Sequence, residues 1–587
     1  MLISEFFIMV NQPTLLSSQL FYENRVVEVT LNRVMLGLWK EIETRRKRFA
    51  SFNCISKDAD HHFLLVSEIV GARETEEEDQ TNKDGGRKHN VLLYPYAFTV
   101  SVFALSLSLS LFLNIVSYTE RTKHHCWRCK DIIFHCLDKA QRQQWVQTIN
   151  NQLSLLSIRP KRLLVYINPY SGKQRGKWIY EQRVAPLFSR ASISTDVIVT
   201  ESANHARDHL KTEVDLKQCD GVVCVGGDGM FSEVVHGLVS RTQSDSRVDQ
   251  NQPNQDLVPC ALRIGIIPAG STDCICYSTT GTNDPVTSAL HIIMGDSQPM
   301  DVCSVHHNNT FLRYSVSLLG YGFYGDVLTD SERKRWMGPS RYDFSGLKTF
   351  LTHQYYEGTV AFLPAKDNLG NPRDKIKCRT RCHICEQGAN NGQLLSGDHV
   401  YKMAEENSDE ETSGDGVWRV IRGKFLAINA ACMSCACPRS PRGLSPYAHL
   451  ADGTTDLILV RKASRLDFLR HLIRHTNKDD QFDMSFVEVH RVRRFRFAPK
   501  HSNVISEVDL SETSGKKICN QVCTAHPNND TGHSNWNCDG EILPHADIQV
   551  SVHCQLIRLF ARGVERGTTF DTYTWSVIEG SNLSWQA

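Results

Sequence analysis

The chain has 587 residues, 41% of them hydrophobic and 22% charged, with a net charge of +1; that is an ordinary globular composition, long enough for about three or four domains. So neutral a balance gives no bulk attraction to nucleic acid or to an anionic membrane, so no nucleic-acid partner is expected and any lipid contact must come from local patches. The 20 cysteines are irregularly spaced, and Met1–Val10 lacks the basic start and small-residue cleavage site of a secretory leader; free thiols in a reducing compartment are expected.

Residues 1–157 read as a first unit. Val26–Leu31 and Phe63–Val66 have strand composition. From Ala140 to Leu156, Trp145, Ile149, Leu153 and Leu156 recur at helical spacing. Strands closed by one helix with a central tryptophan resemble a pleckstrin-homology domain; the plainer reading is an unspecified α+β module. The resemblance implies contact with membrane phosphoinositides through a basic loop, and Arg45–Arg48 is the most basic run here. One stretch departs from the pattern. Ala97–Val116 is uncharged and rich in Phe, Leu and Val, and about twenty such residues suffice for a membrane helix. Yet Leu105, Leu107, Leu109 and Leu111 alternate with Ser106, Ser108 and Ser110, the period of a strand. An inserted or mistranslated segment is a third reading. A span here would destroy a small β domain, so a soluble chain is expected.

Residues 160–298 alternate strand-like runs (163–167, 195–199, 221–225 and 264–267) with helical stretches, the signature of an α/β domain with a parallel sheet. Three of these runs open into Gly-rich polar loops: Asn168-Pro169-Tyr170-Ser171-Gly172-Lys173, Gly226-Gly227-Asp228-Gly229, and Pro268-Ala269-Gly270-Ser271-Thr272-Asp273. Loops at the carboxyl ends of such strands gather at one edge, where ligands bind. Glycines admit close backbone approach, and a following helix offers free amides to an anion. Asp228 in that setting either binds a metal, takes a proton, or only caps a helix. The spacing is not that of a P-loop, and Lys173 and Lys177 are either phosphate contacts or solvated loop charges. Arg241–Leu257 reads as a surface loop.

Residues 299–563 look β-rich, with strands expected at Phe311–Leu319, Thr359–Leu363, Phe425–Ala430, Leu457–Val460, Phe486–Phe497 and Ile548–Leu559, before a tail at 564–587. A polar insertion, 366–416, carries an acidic cluster and reads as a mobile surface loop. Within it Cys378, Cys382 and Cys385, with His383, have metal-ligand spacing; they hold zinc if a partner comes from Cys432, Cys435 or Cys437, or are free thiols. Arg465–His475 is a basic amphipathic helix, suited to calmodulin, to a membrane surface, or to packing in its own domain. Late in the chain, Asn537-Cys538-Asp539-Gly540-Glu541 sets a glycine between carboxylates.

The three strand-end loops together resemble the diacylglycerol-kinase catalytic fold of lipid kinases. Residues 312–326, 341–351 and 439–446 and the cysteine set resemble the ceramide kinases within it, and the likeness runs from about Pro160 to about Gly563. It implies a β-rich lipid-binding C-terminal domain and ATP-dependent phosphorylation of the primary hydroxyl of ceramide, giving ceramide 1-phosphate and ADP. It also implies Mg²⁺ with the nucleotide, a regulatory Ca²⁺/calmodulin link, and a cytoplasmic protein peripheral on Golgi and plasma membranes. By the same likeness, Asp228 is the general base, and Gly226, Gly227, Asp228, Gly229 and Asp326 contact the lipid. Asn168, Pro169, Tyr170, Ser171, Gly172, Thr200, Glu233, Arg335, Arg341, Asp539, Gly540 and Glu541 contact the nucleotide. Met230 stands where the wider family has threonine. Asp452-Gly453 and Asp456 resemble an Asp-Gly turn of bacterial relatives. The rival readings are a sphingosine or diacylglycerol kinase, and an inactive membrane-docking scaffold.

Overall fold

A computed structural model describes residues 13–22, 25–40, 62–75, 112–122, 124–136, 138–338, 340–366, 369–392, 417–477, 479–500 and 533–565. The N-terminal domain is built on seven antiparallel strands, β1 (Leu16–Tyr22), β2 (Arg25–Leu31), β3 (Met35–Lys40), β4 (His62–Leu65), β5 (Ile69–Thr75), β6 (Phe112–Arg121) and β7 (Trp127–Cys136), in the order β4-β3-β2-β1-β7-β6-β5. The helix Lys139–Ser154 starts at Asp138, whose side chain accepts the Gln141 amide at 2.7 Å. It buries Trp145, Ile149 and Leu153 against Val29, Leu31, Leu36, Val116 and Phe134, so the helical spacing is realised as an apolar stripe on the sheet. Residues 97–111 and Arg45–Arg48 lie outside the described residues. Residues 112–116 open β6, and no helix among the described residues is long and apolar enough to cross a membrane. The domain is fastened to the next one: Trp127 stacks on His291 with ring centroids 4.0 Å apart, and Arg159 donates to the Ser67 carbonyl at 3.0 Å.

The α/β sheet comprises β8 (Arg162–Ile167), β9 (Ser194–Val199), β10 (Gly221–Gly226) and β11 (Arg263–Pro268), parallel and ordered β11-β10-β8-β9. β8 and β10 are buried on both faces, which is why each reads as an unbroken apolar run; β9, at the edge, is half exposed. The chain leaves β8 to lay β9 on one side and returns to lay β10 on the other. That reversal opens a crevice at the carboxyl ends of β8 and β10, the switch point where ligands of such sheets bind.

The remaining strands are β12 (Gln298–His307), β13 (Thr310–Ser315), β14 (Leu318–Gly322), β15 (Tyr356–Pro364), β16 (Arg419–Ala431), β17 (Thr455–Arg461), β18 (Val487–Pro499), β19 (Asn537–Cys538), β20 (Glu541–Ile542) and β21 (Ile548–Leu559). β21 pairs antiparallel with β12 and β18 and parallel with β11, so the β-rich region and the α/β sheet are one continuous sheet. Three expectations are corrected. The strand at Phe311–Leu319 breaks at Val316-Ser317, because Asp539 takes the amides of Val316, Ser317 and Leu318. The expected loop at Arg241–Leu257 begins late, because the helix Asp228–Asp245 runs on to Asp245; buried Gln243 exchanges two bonds with Val258, at 2.8 and 2.9 Å. Residues 369–392 of the polar insertion are packed, with Leu369, Ile384 and Cys385 buried and a helix at His383–Gly392; residues 393–416, with the acidic cluster, lie outside the described residues.

Candidate active site

The three Gly-rich loops meet at the switch point. The Asn168 amide continues β8 by donating to the Val225 carbonyl at 3.0 Å, and its side chain accepts the Tyr170 amide at 2.9 Å, closing the turn. Gly172 has φ +55°, and a Cβ there would lie 2.5 Å from the Ala269 carbonyl oxygen, so only glycine lets this loop rest on the one after β11. A Cβ on Gly270 would lie 2.6 Å from Gly227 Cα, and one on Gly227 would lie 3.5 Å from Ser171 Oγ. Above Gly229 the space is open: a Cβ there would meet nothing within 4 Å. Asn168–Gly172, Gly226–Gly229 and Ala269–Asp273 therefore line one crevice, into which the helix Asp228–Asp245 points its free amides. Met230 is buried beneath Gly226, where its thioether chain fills apolar space.

Asp228 is the first residue of that helix, yet it caps another. Its Oδ2 accepts the Cys274 amide at 3.0 Å and its Oδ1 the Ile275 amide at 2.9 Å, at the start of the helix Cys274–Thr280. Each oxygen keeps acceptor capacity. Burial raises its pKa; the two amides oppose that shift, and the charge of Asp539 adds to it. The crevice thus holds a carboxylate of raised basicity beside open space and helix-terminal amides. Such a group can take a proton from an alcohol as its oxygen attacks a phosphorus.

Asp539, with φ +49°, is the most heavily bonded of the expected residues. Its oxygens accept the amides of Val316 (2.7 Å), Ser317 (3.0 Å) and Leu318 (2.8 Å) and the hydroxyls of Ser315 (3.1 Å) and Ser317 (2.7 Å). Gly540 completes the turn with its amide on Asn537 Oδ1 at 2.8 Å, and Glu541 is exposed. β14, which starts at Leu318, leads into the helix Phe323–Glu332, where Asp326 accepts Ser534 Oγ at 2.6 Å and Tyr356 Oη at 2.7 Å. Burial raises the Asp326 pKa against both of those bonds. Thr200 follows β9 and gives its hydroxyl to the Ile167 carbonyl at 3.3 Å. Glu233 faces the amides of Asn204 and Ala206, which oppose the upward push of burial on its pKa. Arg335 and Arg341 both pair with Glu332, the latter at 3.2 Å, and Glu541 contributes to the field on Arg335. Lys177 pairs with Glu181 at 3.9 Å on the helix surface. Asp456 forms a buried pair with Arg491 at 3.0 Å, an internal anchor.

Chain comparison decides the family. Residues 317–572 match the ceramide kinase C-terminal domain, residues 162–305 the diacylglycerol kinase catalytic domain, and residues 16–105 and 111–149 the ceramide kinase PH domain. The chain is 53% identical over 518 residues to a human ceramide kinase, spanning 88% of this chain and 91% of that one. It is 50% identical over 554 residues to a mouse ceramide kinase, at 94% and 98%. A rice ceramide kinase is 33% identical over 542 residues, at 75% and 83%.

The chain belongs to the ceramide kinase family.

It is accordingly a lipid kinase, and its N-terminal sheet and helix are the PH domain of that family. Two residues of this ceramide kinase crevice escaped the sequence reading. Arg313 on β13 donates to Ser232 Oγ at 3.3 Å, and its buried Nε has no partner among the described residues, leaving a guanidinium with spare donors beside the helix of Asp228. Asp273 has φ +51° and accepts the Gly270 amide at 2.9 Å; burial, then the charge of Asp228, pushes its pKa up to about 7. Its only sequence signal was its place in a strand-end loop. Asp273→Asn removes this ionisation, so an inflection of kcat/KM near pH 7 is expected to disappear, read between pH 5 and 9. By linkage, the Asp273 carboxyl costs nothing below its unfolded pKa, about 3.8, and its full penalty above about 7. The variant is therefore also expected to be the more stable chain at pH 8, and equal stability there would show that burial does not penalise the Asp273 carboxylate.

Proposed function

We propose that the protein transfers the γ-phosphoryl group of ATP to the primary hydroxyl of ceramide, giving ceramide 1-phosphate and ADP. ATP enters as its Mg²⁺ complex, the ion being carried by phosphate oxygens and water. In this reading the phosphates rest on the amides of Asn168–Gly172 and at the start of the helix Asp228–Asp245. Thr200, Glu233, Arg335, Arg341 and the Asp539–Glu541 turn border the nucleotide. Asp228 takes the hydroxyl proton, and Asp326, held between Ser534 and Tyr356, orients the head group. One observation carries the reading: the buried Asp228 carboxylate stands in a crevice whose walls, at Ser171, Gly227 and Gly270, are close enough to touch.

An apolar surface supports a membrane-borne acceptor. Trp336 is 84% exposed; Phe344, Leu347 and Leu351 are exposed on the helix Ser340–Thr352, as are Leu466, Leu469 and Ile473 on the helix Arg465–Arg474. The two helices are joined by Arg465 donating to the Leu351 carbonyl at 3.2 Å. So much exposed apolar area beside Lys334, Arg335 and Lys348 suits a lipid surface. In this reading the PH domain contacts phosphoinositides, and the protein acts peripherally on Golgi and plasma membranes. The Ca²⁺/calmodulin link has weaker support: Phe468, the aromatic anchor such a partner would take, is buried against Phe323 and Phe350.

Ceramide, sphingosine and diacylglycerol, each in the same mixed micelles with labelled ATP, test the acceptor. Phosphate is expected on ceramide at least about tenfold faster than on the others, the discrimination available to a site built around a polar head group. Preference for sphingosine or diacylglycerol overturns the acceptor. Folded chain that binds no ATP overturns the enzyme reading in favour of a scaffold.

A further inference from the structure

Cys378, Cys382 and Cys385 converge on a residue the cysteine spacing does not reveal. Cys378 Sγ and Cys385 Sγ are 3.7 Å apart, Cys382 Sγ is 3.2 Å from His449 Nδ1, and the four donor atoms all lie within 4.8 Å of one another. Tetrahedral zinc, with Zn–S of about 2.3 Å and Zn–N of about 2.0 Å, requires S···S of about 3.8 Å and S···N of about 3.5 Å. The expected partners lie elsewhere: Cys432 Sγ is 3.2 Å from Cys303 Sγ, Cys435 Sγ bonds the Ser317 carbonyl, and Cys437 pairs with Ser440.

We propose that Cys378, Cys382, Cys385 and His449 form a closed structural zinc site. Cys382 stands just before the helix His383–Gly392 and Cys385 on its first turn, so the local fold aims both thiols to one side. Three thiolates and one imidazole fill a tetrahedron and leave no position for a substrate, which makes the site structural. A second observation points to a ligand. Among the described residues, His449 Nε2 is buried without a partner, and so is Oδ2 of Asp452 three positions on. A metal-bound imidazole characteristically turns its other N–H toward such a carboxylate.

The zinc would clip the insertion to the body of the protein. His449 lies in the segment between β16 and β17, whose Leu450 carbonyl accepts the Asp301 amide of β12 at 2.7 Å. Gly388, on the insertion helix, passes so near that a Cβ there would lie 2.5 Å from the Asp452 carbonyl oxygen. One ion therefore joins 378–388 to the strands that carry the lipid half of the enzyme, at a place distinct from the Asp228 crevice.

Metal content is measured on the full chain purified without chelators, a readout that does not depend on activity. About one zinc per chain is expected for this donor set. Cys382→Ser and His449→Gln should each lose at least about nine-tenths of it, while Cys126→Ser, a thiol outside the cluster, should keep it. Should the cluster variants fail to fold, X-ray absorption at the zinc edge of the unaltered chain still decides: three sulfurs at about 2.3 Å and one nitrogen at about 2.0 Å support the site. Folded chain that stays metal-free in zinc-supplemented medium overturns it. So do variants with undiminished zinc, an oxygen-dominated shell, or a disulfide between Cys378 and Cys385 in protein purified under reducing conditions.

Discussion

Asp228→Asn is expected to bind ATP and ceramide as the unaltered chain does and to transfer phosphate about 10²–10⁴-fold more slowly, the range a positioned general base contributes. Asparagine has the same shape. Its carbonyl oxygen can still accept the Ile275 amide, while its NH₂ faces the Cys274 amide that Oδ2 now accepts. That lost bond costs about 1–3 kcal/mol, offset by no longer burying a charge whose pKa burial has raised. The fold should survive, and the loss should fall on kcat rather than on binding. Turnover and ATP affinity measured on one preparation separate the two. Full turnover in the variant would remove Asp228 from the chemistry.

Asp539→Ala should be the most damaging single change to the stability of the β-rich half. The side chain satisfies three successive amides and two hydroxyls where β13 gives way to β14. Each amide left unpaired costs about 1–3 kcal/mol, and because the three share one loop the sum is less than additive, about 3–5 kcal/mol. Denaturant unfolding followed through Trp536, buried behind this loop, is the measurement. Turnover should fall with stability, because the same loop leads through β14 to Asp326. Asp539→Asn keeps one acceptor oxygen and is expected to fall between the two. Unfolding indistinguishable from that of the unaltered chain would mean that Asp539 is not the anchor of this loop.

The sequence exposed local features and concealed distant pairings. β8, β10 and β11 were legible because strands buried on both faces must be apolar throughout, and glycine marks where such strands end in close-packed loops. The helix Lys139–Ser154 was legible because its stripe repeats with the helical period. Val316-Ser317 looked like more strand because the residue that breaks the ladder, Asp539, is far away in the chain. β21 returns to extend the α/β sheet, a pairing that no local pattern records. His449 joins three cysteines from a segment with no metal-ligand spacing of its own. The titration of Asp273 depends on burial and on a neighbouring carboxylate, neither visible in its loop. Asp228, by contrast, stood out as the one acid in a turn otherwise suited to anions.

Hydrogen exchange of the full chain, with and without a non-hydrolysable ATP analogue as its Mg²⁺ complex, tests the shared crevice most directly. Added protection is expected together in peptides covering 168–176, 226–231 and 269–275. Protection confined to other segments, with those three unchanged, would contradict the placement of nucleotide against Asp228.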